Sequence, residues 1–226
     1  MANSTIPGLV LLVVIIARII TVNHSMNKSY NYLALGDSYT IGEQVELKLN
    51  FPNQLVALLK DRGVFFNQPQ IIAQTGWTTD ELQTAINQAK LKGHYDLVSL
   101  LIGVNNQYRG RTVDEYIPEF ECLLQQAIRL AGNNADRVIV LSIPDWGATP
   151  FARGRDIKQI AKDIDEYNSA NERISAKYRV RYVDITQSTR DSATDTSFLA
   201  LDGLHPSAKE YTVWAKKLVE VLQERR

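Results

Sequence analysis

Ser38 stands in Gly36-Asp37-Ser38-Tyr39, directly after an apolar run. Far downstream, Asp202 and His205 stand three residues apart in Asp202-Gly203-Leu204-His205-Pro206. A serine hydroxyl becomes a nucleophile when a base removes its proton, and a histidine base needs a carboxylate to fix its tautomer. The chain has only three histidines. His24 adjoins an apolar leader and His94 precedes a strand-like run, so both are poor base candidates. His205 has a carboxylate within reach of its Nδ1, and Asp184 and Asp195 compete less well for that role. Each residue also has a plainer reading. Ser38 fits a helix cap after a turn, His205-Pro206 fits a loop boundary, and Asp202 fits a turn before Gly203. Asp37 reads as structural, holding the turn or capping the next helix.

Acyl transfer also needs donors for a developing oxyanion. Gly76, in Gln74-Thr75-Gly76-Trp77-Thr78, offers a bare backbone N–H. Asn105, in Ile102-Gly103-Val104-Asn105-Asn106, offers a side-chain amide, and the N–H of Ser38 is a third donor. Losing one such donor costs about 2.7–4 kcal/mol of transition-state stabilisation. The plainer readings are a tight turn at Gly76 and turn residues at Asn105 and Asn106. Tyr39, Trp77, Tyr108 and Trp146 fall near the same positions, as substrate-pocket walls or as packing. The stretch from Pro144 to Phe151 is expected to form a site wall, with Arg153 or Arg155 toward an anionic leaving group.

These residues need elements to hold them. Apolar runs predict strands over Tyr30–Leu35, Gln70–Gln74, Tyr95–Ile102, Val138–Ile143 and Val180–Ile185. Helical spacing predicts helices over Pro52–Arg62, Val113–Ala131, Asp156–Lys177 and Ser207–Leu222. Another helix starts at Thr78, which with Glu81 reads as a capping box. Strand and helix alternate throughout, which implies one α/β domain with about five parallel strands and helices on both faces. Every candidate residue follows a strand, where open α/β sheets bind ligands.

Composition narrows the function further. The 226 residues carry 25 Lys plus Arg against 25 Asp plus Glu, without a basic stripe, so no nucleic-acid partner is expected. The lone Cys122 excludes an internal disulfide and is expected to pack in a helix. No Cys/His cluster has zinc spacing, so no metal is expected. Residues 1–27 form an apolar leader ahead of a domain over residues 28–226. Leader residues 6–22 are short for a membrane span and interrupted by Arg18; they also lack the charged start and cleavage site of a signal peptide. Three readings stand: a signal, an anchor through which membrane association would run, or a stretch upstream of a true start at Met26. Export or anchoring follows from the first two, a cytoplasmic location from the third.

The four separated blocks resemble those of the SGNH (GDSL-type) hydrolase family. They are Gly36-Asp37-Ser38-Tyr39, Gly76, Gly103-Val104-Asn105-Asn106 and Asp202-Gly203-Leu204-His205-Pro206, and the likeness runs from about Tyr30 to the C-terminus. The resemblance implies a flavodoxin-like α/β/α sandwich and cofactor-free hydrolysis of a small-molecule ester or thioester through an acyl-serine. It also implies Ser38 as nucleophile, His205 as base, Asp202 as its partner, and Ser38, Gly76 and Asn105 as the oxyanion hole. The chain lacks a Gly-x-Ser-x-Gly elbow, which argues against an α/β-hydrolase of the other kind. A short or medium acyl ester is the expected substrate, with a lysophospholipid, an acetylated sugar and an acyl thioester as alternatives. A non-catalytic ligand-binding module on the same fold is the competing class.

Overall fold

The computed structural model describes residues 29–223 apart from residue 92 and residues 192–193. The apolar leader, with its three readings, lies outside them. Among the described residues, the strands β1 (Tyr32–Gly36), β2 (Gln70–Ala73), β3 (Leu97–Leu101), β4 (Val138–Leu141) and β5 (Arg181–Val183) form one parallel sheet in the order β2-β1-β3-β4-β5. This is the flavodoxin-like order, with its topological switch point between β1 and β3.

The apolar runs form strands here because both faces are covered. β1, β3 and β4 are buried at every residue, whereas the edge strands β2 and β5 are only partly so. On one side α2 (Phe51–Lys60) packs against α8 (Ala208–Gln223), and on the other α5 (Val113–Leu130) lies between α3 (Thr79–Gln88) and α6 (Ile157–Lys177). Phe51, Tyr211 and Trp214 are buried together between α2 and α8, with Tyr211 and Trp214 edge to face at 5.1 Å. Burying each such side chain is worth about 1.5–3 kcal/mol.

Helix starts follow local chemistry. Glu81 reaches back to the Thr78 N–H at 2.8 Å and Glu115 to the Thr112 N–H at 2.8 Å, so both starts are closed by capping boxes. Asn50 and Asp156 cap α2 and α6 by accepting from the N–H groups of Asn53 and Gln159.

The expected architecture is present, with differences in detail. β3 and β4 stop one and two residues before their apolar runs do, because pairing ends while burial continues: Ile102 and Ile143 lie beyond them yet are fully buried, whereas β1 runs one residue past its own run, to Gly36. Three short helices, α1 (Ser38–Ile41), α4 (Val104–Tyr108) and α7 (Thr186–Asp191), escape sequence periodicity. Cys122 corrects an expectation: it lies on α5 but is exposed, its Sγ 3.6 Å from Gln83 Oε1. Among the described residues, no helix is long and apolar enough to cross a membrane, and no cluster of His, Cys, Asp or Glu is placed to hold a metal.

Candidate active site

The site lies beyond the carboxyl ends of the strands, at the switch point. Ser38 leaves β1 as the first residue of α1, and Asp37 caps that helix by accepting from the Tyr39 N–H at 3.0 Å. Gly36 permits this tight exit: a Cβ there would lie 2.1 Å from Thr40 Oγ1 and 2.4 Å from Leu101 O. As an N-terminal helical residue, Ser38 has an N–H with no acceptor inside α1. Asp37 is therefore a cap, and the plainer reading of Ser38 as the capping residue does not hold.

His205 arrives on a hairpin-like loop closed by an antiparallel bridge between Leu199 and Pro206, with the Ala200 N–H donating to His205 O at 2.8 Å. Asp202 Oδ1 accepts from the N–H groups of Leu204 and His205, both at 3.0 Å. Its Oδ2 lies 2.6 Å from His205 Nδ1, and His205 Nε2 lies 3.0 Å from Ser38 Oγ. An ionised carboxylate only accepts, so Nδ1 carries the ring proton and Nε2 is left to accept from the serine hydroxyl. Ser38 and His205 are 5% and 8% exposed. The competitors are engaged elsewhere: Asp184 Oδ1 accepts from Ser142 and Thr186, and Asp195 pairs with Lys209.

Electrostatics distinguish the two aspartates. Burial disfavours the Asp202 charge, but hydrogen bonds from the His205 ring and from the Leu204 and His205 N–H groups outweigh it and hold the carboxyl below its usual range. Asp37 is fully buried, and burial pushes its carboxyl up to about 7 despite the Tyr39 hydrogen bond. Burial likewise raises the Tyr39 phenol, whose ring packs 5.5 Å from that of His205.

Gly76 and Asn105 face the serine across a shared cavity of about 160 Å³. Gly76 adopts φ +84°, and the Trp77 N–H donates to Gln74 O at 3.3 Å, as in a type II turn with glycine at its third position. Asn105, on α4, donates one amide hydrogen to Trp77 O at 3.0 Å. An Asn amide has two hydrogens, so a second remains for the cavity that Asn105 lines. Asn106 points elsewhere: it accepts from the Thr79 N–H at 3.1 Å and donates to Thr79 Oγ1 at 2.6 Å.

Of the four aromatic residues expected near the site, Tyr39, Tyr108 and Trp146 line the cavity. Trp77 is not among the lining residues; its ring is half-buried against the hydrophobic core, and the site uses its carbonyl instead. Phe151, at the end of the expected wall, completes an aromatic group with Trp146 and Tyr108, at 6.1 and 6.2 Å. Trp146 is buried and fixed by donating to Gln107 Oε1 at 2.8 Å. Arg155 lies over the Tyr108 ring at 5.9 Å, and neither it nor Arg153 lines the cavity. Val104, Leu204 and Thr75 also line it. They carry no sequence signal beyond proximity to the motif blocks.

A parallel sheet in this order, with serine, histidine and aspartate joined in series at its carboxyl edge, has the three-layer architecture of SGNH hydrolases. The chain belongs to the GDSL-like lipase/acylhydrolase family, which it matches over residues 34–213. No curated protein matches it. Among solved structures, a lipolytic G-D-S-L family protein from Veillonella parvula is 17% identical, with a TM-score of 0.67 over 86% of this chain and 99% of its own. An acetylxylan esterase from Geobacillus stearothermophilus is 18% identical, with a TM-score of 0.68 over 87% and 95%. A lipase/acylhydrolase from Enterococcus faecalis is 20% identical, with a TM-score of 0.64 over 84% and 94%. At these identities the likeness is one of fold.

Proposed function

We propose that the protein is a serine esterase that hydrolyses carboxylic esters of short to medium acyl chains through an acyl-serine intermediate. The observation that carries this reading is the continuous chain from Ser38 Oγ through His205 to Asp202, at 3.0 and 2.6 Å.

Ser38 Oγ attacks the ester carbonyl while His205 Nε2 takes its proton. The C=O electron pair moves to the oxygen, which lies among the N–H groups of Ser38 and Gly76 and the Asn105 amide. Asp202 keeps the ring in the tautomer that accepts this proton and stabilises the imidazolium. Collapse breaks the bond to the leaving alcohol, which takes the proton from Nε2. Water then repeats the sequence on the acyl-serine: His205 removes its proton, and Ser38 leaves with the proton returned.

The cavity supports a small acyl group. At about 160 Å³ it is smaller than drug-sized pockets, which begin near ~300 Å³. An apolar cavity of similar size, ~150 Å³, takes one benzene. Tyr39, Val104, Tyr108, Trp146, Phe151 and Leu204 give it apolar walls.

The test is hydrolysis of p-nitrophenyl esters, acetyl through dodecanoyl, by the wild type beside Ser38→Ala. Activity on the short esters that disappears in the variant supports the reading. Equal activity in a folded Ser38→Ala protein overturns it.

A further inference from the structure

Asn105 and Asn106 on α4, with Arg109 at its C-terminal cap, hold the Gly76 loop and the start of α3. Asn105 holds Trp77 O, Asn106 holds the Thr79 N–H, and Arg109 donates from Nη2 to Gly76 O at 2.6 Å. Arg109 sits one helical turn beyond Asn105, and its own N–H donates to Asn105 O at 3.1 Å. Its guanidinium also lies 3.4 Å from the Glu81 carboxylate, whose Oε2 closes the α3 cap on the Thr78 N–H.

The Arg109 contact has a specific consequence for the turn. Gly76 O belongs to the peptide whose N–H, on Trp77, closes the turn onto Gln74 O. Arg109, the Gly76–Trp77 peptide and Gln74 O thus form a chain of hydrogen bonds, and such chains strengthen each member. The closing bond is long at 3.3 Å. Between the closed ends hangs the Thr75–Gly76 peptide, whose N–H faces the serine in the proposed mechanism. A planar guanidinium is suited to serving a carbonyl and a carboxylate together.

We propose that Arg109 is a positioning residue: it fixes the Gly76 turn so that the Gly76 N–H stays on the oxyanion. Arg109 does not line the cavity, so it acts through Gly76 rather than on substrate. Its side chain is 45% exposed, so truncating it leaves little buried space. This role rests on the hydrolase reading above.

The experiment compares Arg109→Met, Arg109→Lys and Glu81→Gln with the wild type and Ser38→Ala on p-nitrophenyl butyrate. It adds the inhibition constant of an alkyl boronic acid, which forms a tetrahedral adduct on serine. Arg109→Met is expected to lose about tenfold or more in kcat with KM within about threefold, because misplacing a transition-state donor leaves ground-state binding intact. Boronate affinity should fall in proportion to kcat. Arg109→Lys, which keeps one donor for Gly76 O, should recover part of both. Glu81→Gln keeps a capping-box residue and the Gly76 contact, and should stay close to wild type.

Retention of kcat in Arg109→Met overturns the proposal, as does an equal loss in Glu81→Gln, which would make the ion pair the operative contact. If Arg109→Met does not fold, Arg109→Lys and Glu81→Gln still decide. Glu81→Gln at wild-type kcat with Arg109→Lys reduced supports the clasp, and the reverse overturns it. Full activity in Ser38→Ala would instead sink the hydrolase reading.

Discussion

Asp202 and His205 are bonded twice: Oδ1 accepts the backbone N–H of His205 at 3.0 Å, and Oδ2 lies 2.6 Å from its ring Nδ1. One carboxylate therefore builds the turn and aims the imidazole. The three-residue spacing allows both, because the loop between them doubles back onto Ala200.

Asp202→Asn separates the two jobs. An Asn carbonyl oxygen can still accept from the backbone, but its NH2 facing Nδ1 favours the tautomer with the proton on Nε2. That ring cannot take the serine's proton. A loss of about 10²–10⁴ in kcat is expected, in line with the equivalent change in a serine protease. Steady-state kinetics at neutral pH measure it, with circular dichroism to verify folding. A loss of less than tenfold would remove Asp202 from the mechanism.

Gly76→Ala tests the turn without a clash. The nearest atom to a Cβ there is Arg109 Nη2 at 3.8 Å, so space is available. The obstacle is φ +84°, which costs an L-residue roughly 1–2 kcal/mol. A turn relaxing to type I, with negative φ at this position, rotates the Thr75–Gly76 peptide and turns its N–H away from the cavity. Turnover should fall by about 10²-fold, as for loss of one oxyanion donor, with little change in KM. Wild-type kcat in this variant would exclude the Gly76 N–H as a donor.

The strands and long helices were legible because their signals are local. Continuous apolar runs mark doubly covered strands such as β3, and Thr78 with Glu81 marks a helix start within four residues. The catalytic candidates were legible because few histidines compete and the motif blocks fall after strands. Helices of four to six residues carry no periodicity, so α1, α4 and α7 were not visible. Arg109 was hidden for another reason: its partner Gly76 is a backbone carbonyl 33 positions away, which leaves no mark on residue types. Trp77 shows the converse, a residue beside a motif whose ring packs inward while its carbonyl serves the site.

Phe151→Ala probes the size of the pocket. Phe151 is 44% exposed and its N–H donates to Gly203 O at 3.2 Å, which ties this wall to the loop bearing Asp202. Trp146 beneath it is 4% exposed and anchored through Gln107, so Phe151 is the wall that can be removed. The wild type should lose efficiency for acyl chains beyond about six carbons, by the benzene-sized cavity. Removal of the ring should move that limit to longer chains. An unchanged profile across the p-nitrophenyl series would place the acyl group elsewhere.

Asp37→Asn should show a pH-dependent gain in stability. The Asp37 carboxyl is raised to about 7, chiefly by burial, while an unfolded Asp titrates near 3.9. The native state therefore binds the extra proton between those values. Asp37's contribution is fully present below about pH 4 and is lost as pH rises through about 7. Its Oδ2 has no hydrogen-bond partner among the described residues, so burial outweighs the Tyr39 hydrogen bond to Oδ1 once the charge forms. Asparagine keeps an oxygen for the Tyr39 N–H cap and cannot ionise. The difference in Tm, variant minus wild type, should grow more positive from pH 4 to 7 and level off above it. Thermal melts followed by circular dichroism at unit pH steps measure this. Parallel Tm curves would mean that Asp37 stays charged in the folded protein throughout that range.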